Sequence, residues 1–131
     1  MTTSILSITP TRTLLFVAGS TLALVLAQFA LAGTALFVSP SWWSVHAAAG
    51  AALAVPLIGL LVQTRRAAPG ATLRQPTGWL VTLYVAQVLL AALSDEPGLT
   101  ALRAAHVANA ALVLCMSLYL ALRAVRMDRS A

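Results

Sequence analysis

Between residues 13 and 64 no side chain carries a formal charge, and the apolar run is interrupted only at Ser39-Pro40-Ser41-Trp42-Trp43-Ser44. Two further uncharged stretches cover 75–94 and 104–122. Each half of the first interval, and each later stretch, is close to or above the ~18–20 helical residues that cross ~30 Å of hydrocarbon at ~1.5 Å per residue. The pattern predicts four transmembrane helices, at about 14–38, 43–62, 77–93 and 100–122. The connection from Arg65-Arg66 through Pro69-Gly70 to Pro76 is basic, whereas Ser94-Asp95-Glu96-Pro97-Gly98 is a short acidic turn. The expected fold is all-α: an integral membrane, up-down-up-down four-helix bundle in one domain, with little chain left for anything outside the bilayer.

Charge fixes the direction of this bundle. Arg12, Arg65, Arg66, Arg74, Arg123, Arg126 and Arg129 fall on one side of an up-down-up-down chain, leaving only Arg103 on the other. The positive-inside rule makes the arginine-rich side cytoplasmic, with both termini there, as for a multi-pass protein of the bacterial inner membrane. Trp42, Trp43 and Trp79 stand where interfacial aromatics are expected. The first apolar run is about twice the length of a signal-peptide core and reads as a retained helix. Thr2 gives no myristoylation signal.

Composition removes other classes. The chain of 131 residues is 60% hydrophobic and 8% charged, which excludes a water-soluble domain and intrinsic disorder alike. A net charge of +5 does not point to nucleic acid, because the arginines form no single patch. Cys115 alone supports neither an internal disulfide nor a cysteine-rich metal site. Asp95, Glu96 and Asp128, the only acidic residues, offer no paired-carboxylate chemistry and no hard-cation cage.

Two hairpins resemble one another. Gln28-Phe29-Ala30-Leu31-Ala32-Gly33 in the first helix parallels Gln87-Val88-Leu89-Leu90-Ala91-Ala92 in the third. His46 then opens the second helix and His106 the fourth, 18 and 19 residues after their glutamines. These are the only two histidines and two of the four glutamines of the chain. A repeat of two helices implies a pseudo-two-fold axis along the membrane normal, with the second and fourth helices diagonal across the bundle. For neighbouring axes ~8–10 Å apart the diagonal is roughly 11–14 Å, about the reach of two imidazoles gripping one metal from opposite sides. Both histidines belong to the extracytoplasmic half.

Ionisable side chains within a bilayer are rare and by default functional. Three readings compete for this pair. Each imidazole can be helix–helix glue, bonded to a carbonyl or to Gln28, Gln87 or Asn109. Alternatively His46 and His106 are the axial ligands of one b-type haem, which needs two such donors and a flat apolar slot. Gly50 and Ala110, each four residues after its histidine, would leave that slot free of side chains, although small residues also serve close helix packing. Arg103, one turn before His106, would meet a propionate or form a surface ion pair with Asp95 or Glu96. Gln28 and Gln87 would orient an imidazole, face the porphyrin edge or bond between helices. The third reading is a copper, zinc or quinone site on the same imidazoles. Two histidines alone make a poor zinc site, and Cys115 lies about 13 Å deeper than His106 on a helix rising ~1.5 Å per residue.

A glutamine followed by Leu-Ala-Gly late in the first helix, a histidine early in the second and a second copy of both resemble one half of haem A synthase. They also resemble small bacterial four-helix membrane proteins with the same Gln/His layout. The likeness spans most of 28–122 but rests on few residues. It implies a cytochrome b-like bundle in which His46 and His106 ligate haem. The synthase has two such halves, paired outer-loop cysteines and an acidic residue three before its first histidine, where this chain has Trp43. Haem binding, rather than hydroxylation of a haem methyl group, is therefore what the resemblance implies.

The expected function is that of a membrane b-type cytochrome-like protein holding one haem b near the extracytoplasmic side, for electron transfer or haem handling. Its partners would be the lipid bilayer and a quinone or a docked redox subunit, and the pattern leaves a homodimer open. The alternative is a cofactor-free integral membrane accessory or assembly subunit.

Overall fold

The computed structural model describes residues 10–66 and 68–130. It is helical throughout, with no strand among the described residues. Helix α1 runs Pro10–Phe37, α2 Trp42–Ala52, α3 Ala54–Arg66, α4 Arg74–Leu93 and α5 Leu102–Arg129, and a 3₁₀ segment, Ala68–Leu73, leads into α4. Taken as one length with the bend at Leu53, α2 and α3 complete a set of four helices long and apolar enough to cross a membrane.

The helices outrun the expected spans at their charged ends. Pro10 opens α1, where its missing N–H is no loss and its fixed φ suits the first turn. The last helix continues to Arg129 rather than stopping near residue 122, because arginine and methionine propagate a helix well after the apolar run has ended. The turn at Leu53 has a chemical cause three residues on. Pro56 cannot donate to the carbonyl of Ala52, and its ring crowds that carbonyl, so the ladder breaks there and resumes in α3. The acidic turn is a type II turn: Leu99 N–H donates to Glu96 C=O at 3.1 Å, Pro97 fixes the first corner and Gly98 supplies φ +85° at the second.

Helix packing forms a ring. Helix α1 lies against α2, α3 and α5, while α4 lies against α3 and α5. The α2–α3 length and α5 are not among the packed pairs. Buried positions Leu14, Ala18, Thr21 and Val25 of α1 recur every three or four residues, as do Val113, Ser117, Leu120 and Ala124 of α5, so each helix presents one stripe. Hydroxyls within these stripes satisfy themselves locally. Thr21 Oγ1 donates to Val17 C=O, Thr64 Oγ1 to Leu60 C=O and Ser117 Oγ to Val113 C=O.

The packed core sits at one end of the ring. Leu60, Leu73, Leu80 and Leu120 are fully enclosed at the end that holds the 3₁₀ segment, the start of α1 and the finish of α5. Arg74 seals this end by donating from Nε to Thr64 C=O at 3.0 Å and from a terminal nitrogen to Arg65 C=O at 3.2 Å. These bonds satisfy carbonyls orphaned where α3 stops. At the other end α2 buries no residue at all. Outward faces carry large exposed apolar side chains, among them Phe16, Leu26, Val55, Ile58, Val88 and Leu112.

Candidate functional site

The polar side chains expected to matter lie in the loosely filled end. In the first hairpin His46, one turn into α2, donates its Nδ1–H to the main-chain carbonyl of Gln28 on α1 at 3.1 Å. In the second, His106, one turn into α5, donates its Nδ1–H to the main-chain carbonyl of Gln87 on α4 at 3.0 Å. A carbonyl only accepts, so both rings carry their proton on Nδ1 and keep a lone pair on Nε2. The two hairpins thus repeat the same bond between corresponding residues.

Around the rings the copies differ. The Gln87 amide nitrogen donates to His106 Nε2 at 3.0 Å, and its Oε1 accepts from Asn109 Nδ2 at 2.7 Å. Asn109, a buried residue, also donates to Leu83 C=O at 2.9 Å. In the first copy Gln28 Nε2 is buried without a hydrogen-bond partner. Its Oε1 lies against Gly50, where an added Cβ would stand 3.3 Å from it. The face beside Gly50 is therefore bounded by the Gln28 amide. Tyr84 reaches across from α4 and donates its hydroxyl to Gly50 C=O at 3.0 Å, tying α4 to the otherwise distant α2. Trp43 meets the His46 ring edge to face, centroids 5.5 Å apart and planes at 85°.

Gln28, His46 and Gly50 therefore form one group, joined by the Tyr84 hydroxyl, and Gln87, His106 and Asn109 another. Ala110 lies half-buried next to Asn109 on α5. Arg103 stands apart: it pairs with Asp95 at 3.1 Å, with both side chains well exposed. The sequence-based reading named Asn109 only as a hydrogen-bond partner and passed over Tyr84. Both carried a signal, being polar residues in apolar runs, three positions after His106 and three before Gln87 on the same helix faces.

The residues present fit the demands of a bis-histidine cofactor in three respects. Two imidazoles come from helices that do not pack on each other, His46 with its Nε2 lone pair open and His106 with its own held by the Gln87 amide. Each ring is oriented by a main-chain carbonyl, the arrangement that aims the other nitrogen at a metal. The orphaned Gln28 amide can be moved without breaking a hydrogen bond at its nitrogen. Among the described residues there is no group of three or more His, Cys, Asp or Glu side chains that would hold a bare metal ion. A separate open groove of about 500 Å³ runs between α4 and α5, lined by Trp79, Leu83, Leu112, Cys115, Met116 and Tyr119 among others, and includes none of these polar residues.

Neither a curated protein nor a solved structure matches the chain. Residues 28–94, just over half of it and beginning at Gln28, match a family of unknown function, DUF6220, and the chain belongs to that family.

Proposed function

We propose that this chain is an integral membrane four-helix bundle of two repeated hairpins that holds one b-type haem between His46 and His106, near the extracytoplasmic side. The observation that carries the reading is the repeated Nδ1–H bond to a glutamine carbonyl, so that Nε2 would be the ligand nitrogen in each copy, directly for His46 and after release of the Gln87 amide for His106. Membrane insertion is supported by four long apolar helices with exposed large side chains on their outward faces. Seven of the eight arginines at the tightly packed end support a cytoplasmic location for that end and both termini, as in a bacterial inner membrane. The resemblance to half of haem A synthase agrees with the ligand pair.

When bound, haem supplies a one-electron iron couple. The protein's own residues do the rest. His46 and His106 would hold the haem, the Gln28 and Gln87 carbonyls orient the rings, and Trp43 packs against His46 at a right angle. At Gly50 the Gln28 amide fills the side-chain face, so a planar ligand would enter only as that unpartnered amide moves aside, while Ala110 presents one small side chain. Arg103, held at the rim by Asp95, is the cation available to a propionate. Held by two imidazoles, the group would serve electron transfer or haem handling, with a quinone or a docked subunit as partner.

Absorbance of protein purified from haem-replete cells tests this. A sharp Soret band, with α and β bands on reduction that vanish in His46→Ala and His106→Ala, is the expected result. A colourless protein with intact helicity overturns it. That outcome would favour a cofactor-free accessory subunit, a reading supported by one observation: the Gln87 amide already satisfies His106 Nε2.

A further inference from the structure

The second histidine sits at the end of a hydrogen-bond chain whose direction is fixed at both ends. Leu83 C=O can only accept, so the Asn109 side chain must turn its NH₂ toward it. The same NH₂ lies 2.7 Å from Gln87 Oε1, so the Gln87 amide must turn its own NH₂ to His106 Nε2, 3.0 Å away. From the other side, Gln87 C=O forces the His106 proton onto Nδ1, leaving on Nε2 the lone pair that the Gln87 amide needs. The two directions agree, and no group in the chain is free to flip without losing a bond. The first hairpin has no such chain. Ala49 occupies the place three after His46 that Asn109 occupies after His106, and Gln28 Nε2 has no partner.

We propose that Asn109 is a positioning residue that, through Gln87, latches the Nε2 lone pair of His106, so that His46 is the open imidazole and His106 the guarded one. A ligand seated between the rings must displace the Gln87 amide from His106 and has nothing comparable to displace from His46. The second step rests on the reading of His106 as an axial ligand, whereas the latch itself does not.

The test uses the full chain in detergent micelles, labelled with ¹⁵N-histidine and without haem. Nitrogen shifts report, ring by ring, where the proton sits and whether the other nitrogen accepts a hydrogen bond. The expected result is Nδ1–H in both rings, with an Nε2 signal for His106 displaced from that of His46. Asn109→Ala and, separately, Gln87→Leu should move the His106 Nε2 signal toward that of His46 and leave His46 in place. Asn109→Ala only removes atoms, and Gln87→Leu provides an independent variant should it fold poorly. A His106 signal unmoved by either substitution, or a proton on its Nε2 in the unaltered protein, overturns the latch. A haem titration of the same samples reads the consequence. Loosening a bond of ordinary strength should tighten haem binding by Asn109→Ala up to about tenfold, and unchanged or weaker binding refutes the guarding role. If no sample takes up haem, the haem reading fails and the nitrogen shifts alone decide the latch.

Discussion

The two hairpins make the same histidine bond through a main-chain carbonyl, but only the second adds a side-chain bond, and double-mutant cycles separate the two. Replacing Gln28 by Ala leaves its carbonyl in place, so the His46 bond survives. The effects of Gln28→Ala and His46→Ala on stability should therefore add to within ~0.3–0.5 kcal/mol, the usual scatter for independent sites. Gln87→Ala deletes the amide that donates to His106 Nε2, so Gln87→Ala and His106→Ala share a bond. Side-chain hydrogen bonds between membrane helices average ~0.6 kcal/mol and reach ~1.7 kcal/mol. The shared bond has an ordinary length of 3.0 Å and is oriented by Asn109, which sets the expected coupling at about 1 kcal/mol, above the scatter. His106→Ala alone should also cost more than His46→Ala, because it removes two bonds and leaves a Gln87 donor unpaired. The assay is denaturing-detergent titration of the full chain in micelles, followed by tryptophan fluorescence and helicity, with the coincidence of the two probes checking for a two-state transition. Equal coupling in the two hairpins would refute the reasoning, since it would mean that Gln28 engages His46 through its side chain as Gln87 engages His106.

Three further outcomes are expected. Gln28→Leu removes a buried amide nitrogen that has no partner, so the cofactor-free protein should gain ~1 kcal/mol in the same titration; a loss of that size would show that the amide has a role in folding. Pro56→Ala restores the donor for Ala52 C=O and should make α2–α3 continuous, read as slow exchange of the new amide at position 56; rapid exchange there would mean that something other than proline sets the bend. Gly98→Ala should cost about 1 kcal/mol, because its φ is +85° while no atom obstructs a new Cβ, and an unchanged midpoint would contradict the turn geometry.

The four long helices were legible because an uncharged interval can be counted, and the hydrogen-bonding ends could only be placed where charge ended the interval. Arg123, Arg126 and Arg129 mark the limit of an apolar span but not of a helix, which is why α5 runs on. The pairing of Gln28 with His46 and of Gln87 with His106 was legible for a different reason. Rare polar residues at matching positions in apolar segments have few partners but one another. What spacing leaves undetermined is the atom. Whether a glutamine meets a histidine by its carbonyl or by its amide depends on helix rotation and side-chain rotamer, and the two hairpins differ in this respect. The bend was present in the sequence as Pro56, but a hydropathy count passes over a residue whose effect is a missing donor. Arg103 had two partners within reach, and in this structure it pairs with Asp95.

That bend also explains why the polar groups can coexist with a stable fold. Below it, α3 buries Leu57, Leu60 and Thr64 against its neighbours, and Arg74 closes the end. Above it, α2 buries nothing and is tied in by contact with α1, by His46 to Gln28 and by Tyr84 to Gly50. A segment with no enclosed side chain, packed chiefly on α1, has fewer contacts to lose when it moves. Elements that admit a ligand are drawn from this low-stability end of a structure. The enclosed core can therefore carry the fold while α2, which holds one imidazole and meets the Gln28 amide at Gly50, is the less tightly held segment. Amide exchange graded along the second span, fast over 42–52 and slow over 57–64, is the signature of that division, and uniform protection across Pro56 would remove its basis.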